Sequence, residues 1–187
     1  MPASDVFRHQ PTLTGPRVRL QPLAAEVLEA YLVGLSDPEV NRLTGTHASF
    51  DRSTVQTWLA TRRDDHDRAD WAVVRAGDGS FLGEAVLNEF DPDNNAANYR
   101  VWLAGPRLFG QGYGTEVTRL VIDYALDVVG LHRLSLGVYD FNPRAARVYE
   151  KCGFRHEGRR RDALHWDNRW HDELLMGILA TDRRPRV

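Results

Sequence analysis

Polar and apolar residues alternate along Arg17-Val18-Arg19-Leu20-Gln21-Pro22-Leu23, which marks a first half-buried strand. Before it, Met1 to Pro16 is polar, interrupted by proline and without a sustained period, and reads as a loose arm. Ala24 to Leu35 has short helical spacing, and Asp37-Pro38 restarts a helix with Asp as cap and Pro at the first helical position. Another helix begins near Thr54 and runs into the charged stretch Arg62 to Asp70, read as a solvated helix end and loop. Trp71-Ala72-Val73-Val74 and Phe81 to Leu87 flank Gly77-Asp78-Gly79-Ser80, the signal of a hairpin. A third strand, Asn98 to Leu103, follows the polar turn Asp91 to Asn95 and extends an antiparallel meander.

The period then changes. Val117, Leu120, Val121, Tyr124, Ala125 and Val128 keep the spacing of one helix face, with Glu116, Arg119, Asp123 and Asp127 opposite. Gly130 stops this helix before the strand Arg133 to Tyr139, and a crossover of this kind makes neighbouring strands parallel. Asn142-Pro143 caps a short helix that stops at Gly153, and Phe154 to Leu179 alternates around Asp167-Asn168 as a closing hairpin. Strands at both ends of a mixed sheet predict an α+β fold.

Composition narrows the function classes. The chain has 187 residues, 42% of them hydrophobic, enough for one domain with its own core and no disulfide scaffold. A net charge of −2 with interspersed signs gives no footprint for nucleic acid, so an anionic ligand would have to be held locally. The lone Cys152, the lack of an export signal at the N-terminus and the lack of a long apolar run predict a cytoplasmic protein without a membrane span.

Two stretches carry candidate chemistry. In Phe109-Gly110-Gln111-Gly112-Tyr113-Gly114-Thr115-Glu116, glycines open the backbone to a ligand, and the N–H groups of the following helix suit phosphate oxygens. Alone, it also fits an ordinary glycine-rich turn. It lacks the Lys-Ser/Thr of a P-loop and the spacing and parallel context of a dinucleotide fingerprint. The second is Asn142-Pro143-Arg144-Ala145-Ala146-Arg147-Val148-Tyr149-Glu150-Lys151-Cys152-Gly153-Phe154, about 30 residues later. Together with the order of elements, both resemble the GNAT superfamily of acetyl-CoA-dependent N-acetyltransferases over Arg17 to Leu179, most closely its RimJ/RimL branch, whose better-known members acetylate N-termini of ribosomal proteins. The resemblance implies a mostly antiparallel mixed sheet flanked by helices and splayed between its two central strands. It divides the chain into an arm (1–16), an N-acetyltransferase domain (17–180) and a tail (181–187).

By the same resemblance, Phe109 and Gly110 lead into a pyrophosphate loop formed by Gln111, Gly112, Tyr113, Gly114 and Thr115. Leu103 and its strand neighbours would pair with the pantetheine arm and offer an oxyanion donor. Asn142 would bond the arm's amides, and Tyr149 would stand near the sulfur as the acid for the departing thiolate. Their bland alternatives are a helix cap for Asn142 and a core tyrosine for Tyr149. Phe109 departs from relatives that have Gln or Arg there, and Gly137 from N-terminal acetyltransferases that place a base glutamate at that position. Glu84 and Glu89, on the meander, are the candidate bases in its stead, against a plain reading as surface carboxylates. The implied activity is acetyl transfer to a primary amine, either a protein N-terminus or a small molecule. A non-catalytic acyl-CoA sensor and a nucleotide binder are the rival readings, and a homodimer is left open. His165 and His171, with Asp167 and Asp172, lack metal-ligand spacing, so no metal is expected. Trp166, Trp170 and His171 are placed at the acceptor mouth or in sheet packing, and Arg159-Arg160-Arg161 on a solvated strand edge or in attraction of anions.

Overall fold

A computed structural model describes residues 6–182. One sheet of eight strands organises them, in the order β1-β2-β3-β4-β5-β6-β8-β7. The strands are β1 (Leu13–Thr14), β2 (Val18–Pro22), β3 (Ala69–Arg75), β4 (Phe81–Asp91), β5 (Ala96–Leu103), β6 (Arg133–Tyr139), β7 (Arg155–Trp166) and β8 (Arg169–Leu179). All neighbours are antiparallel except β5 and β6. That parallel pair follows from the helical crossover between them.

Five helices cover the sheet: α1 (Leu28–Leu35), α2 (Pro38–Thr44), α3 (Arg52–Thr61), α4 (Tyr113–Ile122) and α5 (Pro143–Lys151). Asp37 caps α2 by accepting from the Glu39 and Val40 N–H groups, and Asp51 caps α3 through Thr54 N. Leu28, Tyr31, Val55 and Leu59 of α1 and α3 pack on one face of the sheet. The larger core, with Trp71, Tyr99, Val117, Val121, Leu134 and Tyr149, lies between the other face and α4 and α5.

The feature that positions the site is a divergence. β5 and β6 pair only where Ala96 to Asn98 meet Arg133 to Ser135, and beyond that the two strands part. The N–H of Ala104 donates to Leu82 O across the β4 side. Alternation along β5 therefore turns the backbone groups of Val101 and Leu103 toward the edge that β6 has left.

Three expectations need correction. The segment before Arg17 is not loose where it is described: Phe7 is fully buried against Phe90, and Leu13–Thr14 pairs with β2. Gln10 exchanges hydrogen bonds with Arg68 O and Asp70 N, and Trp71 Nε1 donates to Pro11 O. These anchors are isolated residues without a period, so pattern reading passes over them; residues 1–5 and 183–187 lie outside the described residues. The charged run does not end in solvent either, because Ala69 and Asp70 already belong to β3 and Asp70 is buried in a two-pronged pair with Arg68. Finally, α4 passes into a π-helical turn over Asp123–Val128, where Val129 N donates to Tyr124 O. The wider turn changes which way its own residues face, so Leu126 is buried and Val128 is 74% exposed.

Candidate active site

The parted strands open a cleft of about 850 Å³. It is lined on one side by the loop before α4, by α5 and by Leu103, and on the other by Glu84, Arg100, Trp102, Gly137, Tyr139, Arg160 and Glu173. Such a volume suits a small-molecule site.

The glycine loop is shaped from outside. Gly112 stands at the N-cap of α4 with φ +82°, and a β-carbon there would press on the Arg17 guanidinium at 2.8 Å. That guanidinium donates to Gln111 O at 2.7 Å and, through Nε, to Glu116 Oε2 at 2.9 Å. The N–H groups of Arg17 and Val18 donate to Glu116 Oε1. Burial works against the Glu116 charge, but these bonds outweigh it and hold the carboxyl below its ordinary value. Glu116 is thus a tie between β2 and the loop rather than part of a solvent face.

No side chain caps α4, and its first backbone bond is Glu116 N to Gly112 O. The N–H groups of Tyr113, Gly114 and Thr115 are therefore left for a ligand at the positive end of a ten-residue helix. This is the arrangement a pyrophosphate requires. The Arg144 guanidinium stacks 4.1 Å from the Phe109 ring centroid, so the apolar residue opening the loop serves as a platform for a cation from α5.

Asn142 caps α5 by accepting from Ala145 N at 3.2 Å, and also lines the cleft. Tyr149, 8% exposed, packs against Tyr99 and Phe154 and reaches the same space. Burial pushes its phenol up to about 12 and the neighbouring Cys152 thiol to about 11. Tyr149 is thus a core tyrosine that also borders the cleft.

The two carboxylates expected as bases part company. Glu84 is 6% exposed and accepts from Tyr31 OH at 3.1 Å and Trp102 Nε1 at 2.7 Å. Burial, reinforced by the Asp70 charge, pushes it up to about 7. Glu89 also borders the cleft but is exposed at the irregular β4–β5 register, with φ +53°. At the hairpin tip, Trp166 stacks on His47 and Trp170 lies tilted against His165, while His171 Nδ1 pairs with Asp140 at 3.3 Å. Arg17, Arg100, Arg144 and Glu173 escaped the sequence reading because each reaches the site from a separate element.

A family model described as an acetyltransferase (GNAT) domain matches residues 17–155. The chain belongs to that family and is an N-acetyltransferase. It is 31% identical over 135 residues to a putative ribosomal N-acetyltransferase, YdaF, of Bacillus subtilis, covering 70% of this chain and 73% of that one. It is 30% identical over 117 residues to spermidine N(1)-acetyltransferase of Vibrio cholerae, covering 62% and 67%. The crystal structure of spermidine N-acetyltransferase from V. cholerae in complex with CoA and spermine superposes with TM-score 0.83 over 90% of this chain and 98% of that one, at 20% identity. An acetyltransferase (GNAT family) from Bacillus anthracis gives TM-score 0.78 over 91% and 99%, also at 20% identity. Both superpositions show a shared fold. Among the described residues, no helix is long and apolar enough to cross a membrane.

Proposed function

We propose that this chain transfers the acetyl group of acetyl-CoA to a primary amine by direct attack, with both substrates in the one cleft. The observation that carries the reading is the continuity of that cleft, from the uncapped N-terminus of α4 to a wall of ionisable groups across the β5–β6 divergence. In this reading the N–H groups of Gln111 to Thr115 hold the pyrophosphate, and Arg144 on Phe109 adds positive charge beside it. The Leu103 carbonyl already accepts from Gly105 N at 2.8 Å, so Leu103 offers its N–H, and Val101 its backbone groups, to the pantetheine arm and to the carbonyl oxygen as it gains charge. Asn142 spends its carbonyl oxygen on the α5 cap and keeps its amide N–H groups for the arm.

Tyr149 donates to the sulfur as the C–S bond breaks. At about 12 the phenol keeps its proton at neutral pH and has one to give to the departing thiolate. The amine must be neutral to attack, so the site either binds the neutral form or removes a proton through a base or a water. Glu84 and Glu89 both border the acceptor wall. The acceptor in this proposal is a protein N-terminus, as in the RimJ/RimL branch, or a small amine.

Thiol release from acetyl-CoA, followed across N-terminal peptides, polyamines, amino acids and aminoglycosides, tests the reading. Acceptor-dependent release with one class is the expected result. Binding of acetyl-CoA without release for any amine would replace the transferase by an acyl-CoA sensor.

A further inference from the structure

β6 carries a gap opposite a carboxylate. Gly137 lies in the middle of β6, and a β-carbon at this position would fall on Oε1 of Glu173 from the neighbouring strand β8. Register places Glu173 beside Tyr139, with Leu175 opposite Gly137. The Glu173 side chain therefore leans back along the pair and lies over the bare backbone of residue 137. Both residues border the cleft just where β6 has separated from β5.

Comparing the carboxylates of that wall singles one out. Both oxygens of Glu84 are already bonded, by Tyr31 and Trp102. Both oxygens of Glu157 are taken by the Arg133 guanidinium. Glu89 is exposed on the irregular end of β4. In Glu173, Oε2 is buried without a hydrogen bond, and its charge is balanced by Arg160 Nη1 of β7 at 2.9 Å. Oε1 points over Gly137 toward the divergence. The charged or titratable groups around it are thus Arg160 on β7, Tyr139 on β6 and, across the cleft, Arg100 on β5.

We propose that Glu173, seated in the space left by Gly137, is the proton acceptor for the attacking amine. This rests on the transferase reading above. An incoming ammonium gives one proton to Glu173 Oε1, leaving a neutral amine and a carboxylic acid. The nitrogen lone pair forms the C–N bond to the acetyl carbon, and the C–S bond then breaks. Tyr149 supplies the proton to the sulfur and is made good by the second proton leaving nitrogen. Glu173 later releases its proton to water, so that amide, free thiol and one proton are the products. Gly137 is necessary because any side chain there evicts the carboxylate.

The test uses the full chain, acetyl-CoA and the amine with the highest turnover in the panel. Glu173→Gln is expected to lower kcat by roughly 10²–10⁴-fold, the usual worth of a proton acceptor, with acetyl-CoA affinity unchanged. Gly137→Ala should lower kcat in the same way by displacing the carboxylate. The double variant Glu173→Ala/Gly137→Glu returns a carboxylate to the same space from the other strand, and should recover at least about tenfold over Glu173→Ala alone. Wild-type kcat in Glu173→Gln would overturn the proposal. So would a double variant that folds, binds acetyl-CoA and stays at the Glu173→Ala rate, which would leave Glu173 as a partner for Arg160 only. A large kcat loss in Glu84→Gln with none in Glu173→Gln would move the role to Glu84. A wild-type protein silent on every amine would remove the transferase reading itself, and this assignment with it.

Discussion

Replacing Glu84 by Gln isolates the consequence of burying a carboxyl beside the cleft. In the folded protein the group titrates at about 7 instead of its ordinary 4.5, because burial and the Asp70 charge disfavour the anion more than the Tyr31 and Trp102 bonds favour it. A raised carboxyl pKa means that the folded state binds the proton more tightly. Its contribution is therefore fully present below pH 4.5 and is lost as the pH climbs through 7. A displacement from 4.5 to about 7 corresponds to about 3 kcal/mol across that window. Gln is isosteric and uncharged, and can accept from Trp102 while donating to the Tyr31 oxygen. The variant should match the wild type at pH 4 and exceed it at pH 8. For a chain of 187 residues, about 3 kcal/mol is roughly 6–12 °C in Tm. Thermal unfolding of both proteins at several pH values, without acetyl-CoA, reads the difference, since titrating groups remote from Glu84 cancel and Asp70 and Tyr31 are the ones coupled to it. A Tm difference that does not change between pH 4 and pH 8 would refute the account of a buried, proton-holding Glu84.

Tyr149→Phe keeps the ring contacts with Tyr99 and Phe154, so Tm should shift little while kcat falls by about 10²–10⁴-fold and acetyl-CoA affinity holds; an unchanged kcat would take Tyr149 out of the chemistry. A β-carbon at Gly114 would meet only Val148 at 3.9 Å, so the fold should survive Gly114→Asp, yet the variant sets an anion at the end of α4 and should weaken acetyl-CoA binding; calorimetry showing undiminished affinity would displace the loop assignment. Phe7→Ala should destabilise the protein by about 3–5 kcal/mol, as for other buried phenylalanines, with a matching loss of denaturation midpoint; a change below about 1 kcal/mol would mean that the N-terminal segment is a removable arm.

The elements and both chemical stretches were legible in the sequence because their signals are local. Alternation identified β2 and the closing hairpin, turn residues placed β3, β4 and β5, Gly130 set off β6, Asp37-Pro38 and Asn142-Pro143 marked two helix starts, and the glycines before Thr115 suggested a backbone open to anions. Each signal depends on residues within one or two turns of chain. Tertiary structure decided what depends on distant partners: that Phe7 completes the core, that Arg17, just before β2, sets the shape of the loop before α4, and that a wider turn sends Val128 into solvent. It also decided what the acceptor wall contains. Along the chain Gly137 is only a missing side chain and Glu173 one more charged residue of a hairpin; antiparallel pairing of β6 with β8 lays one over the other. Residue type is written locally, whereas burial, charge balance and the occupant of an empty space are fixed by whichever strand lies alongside.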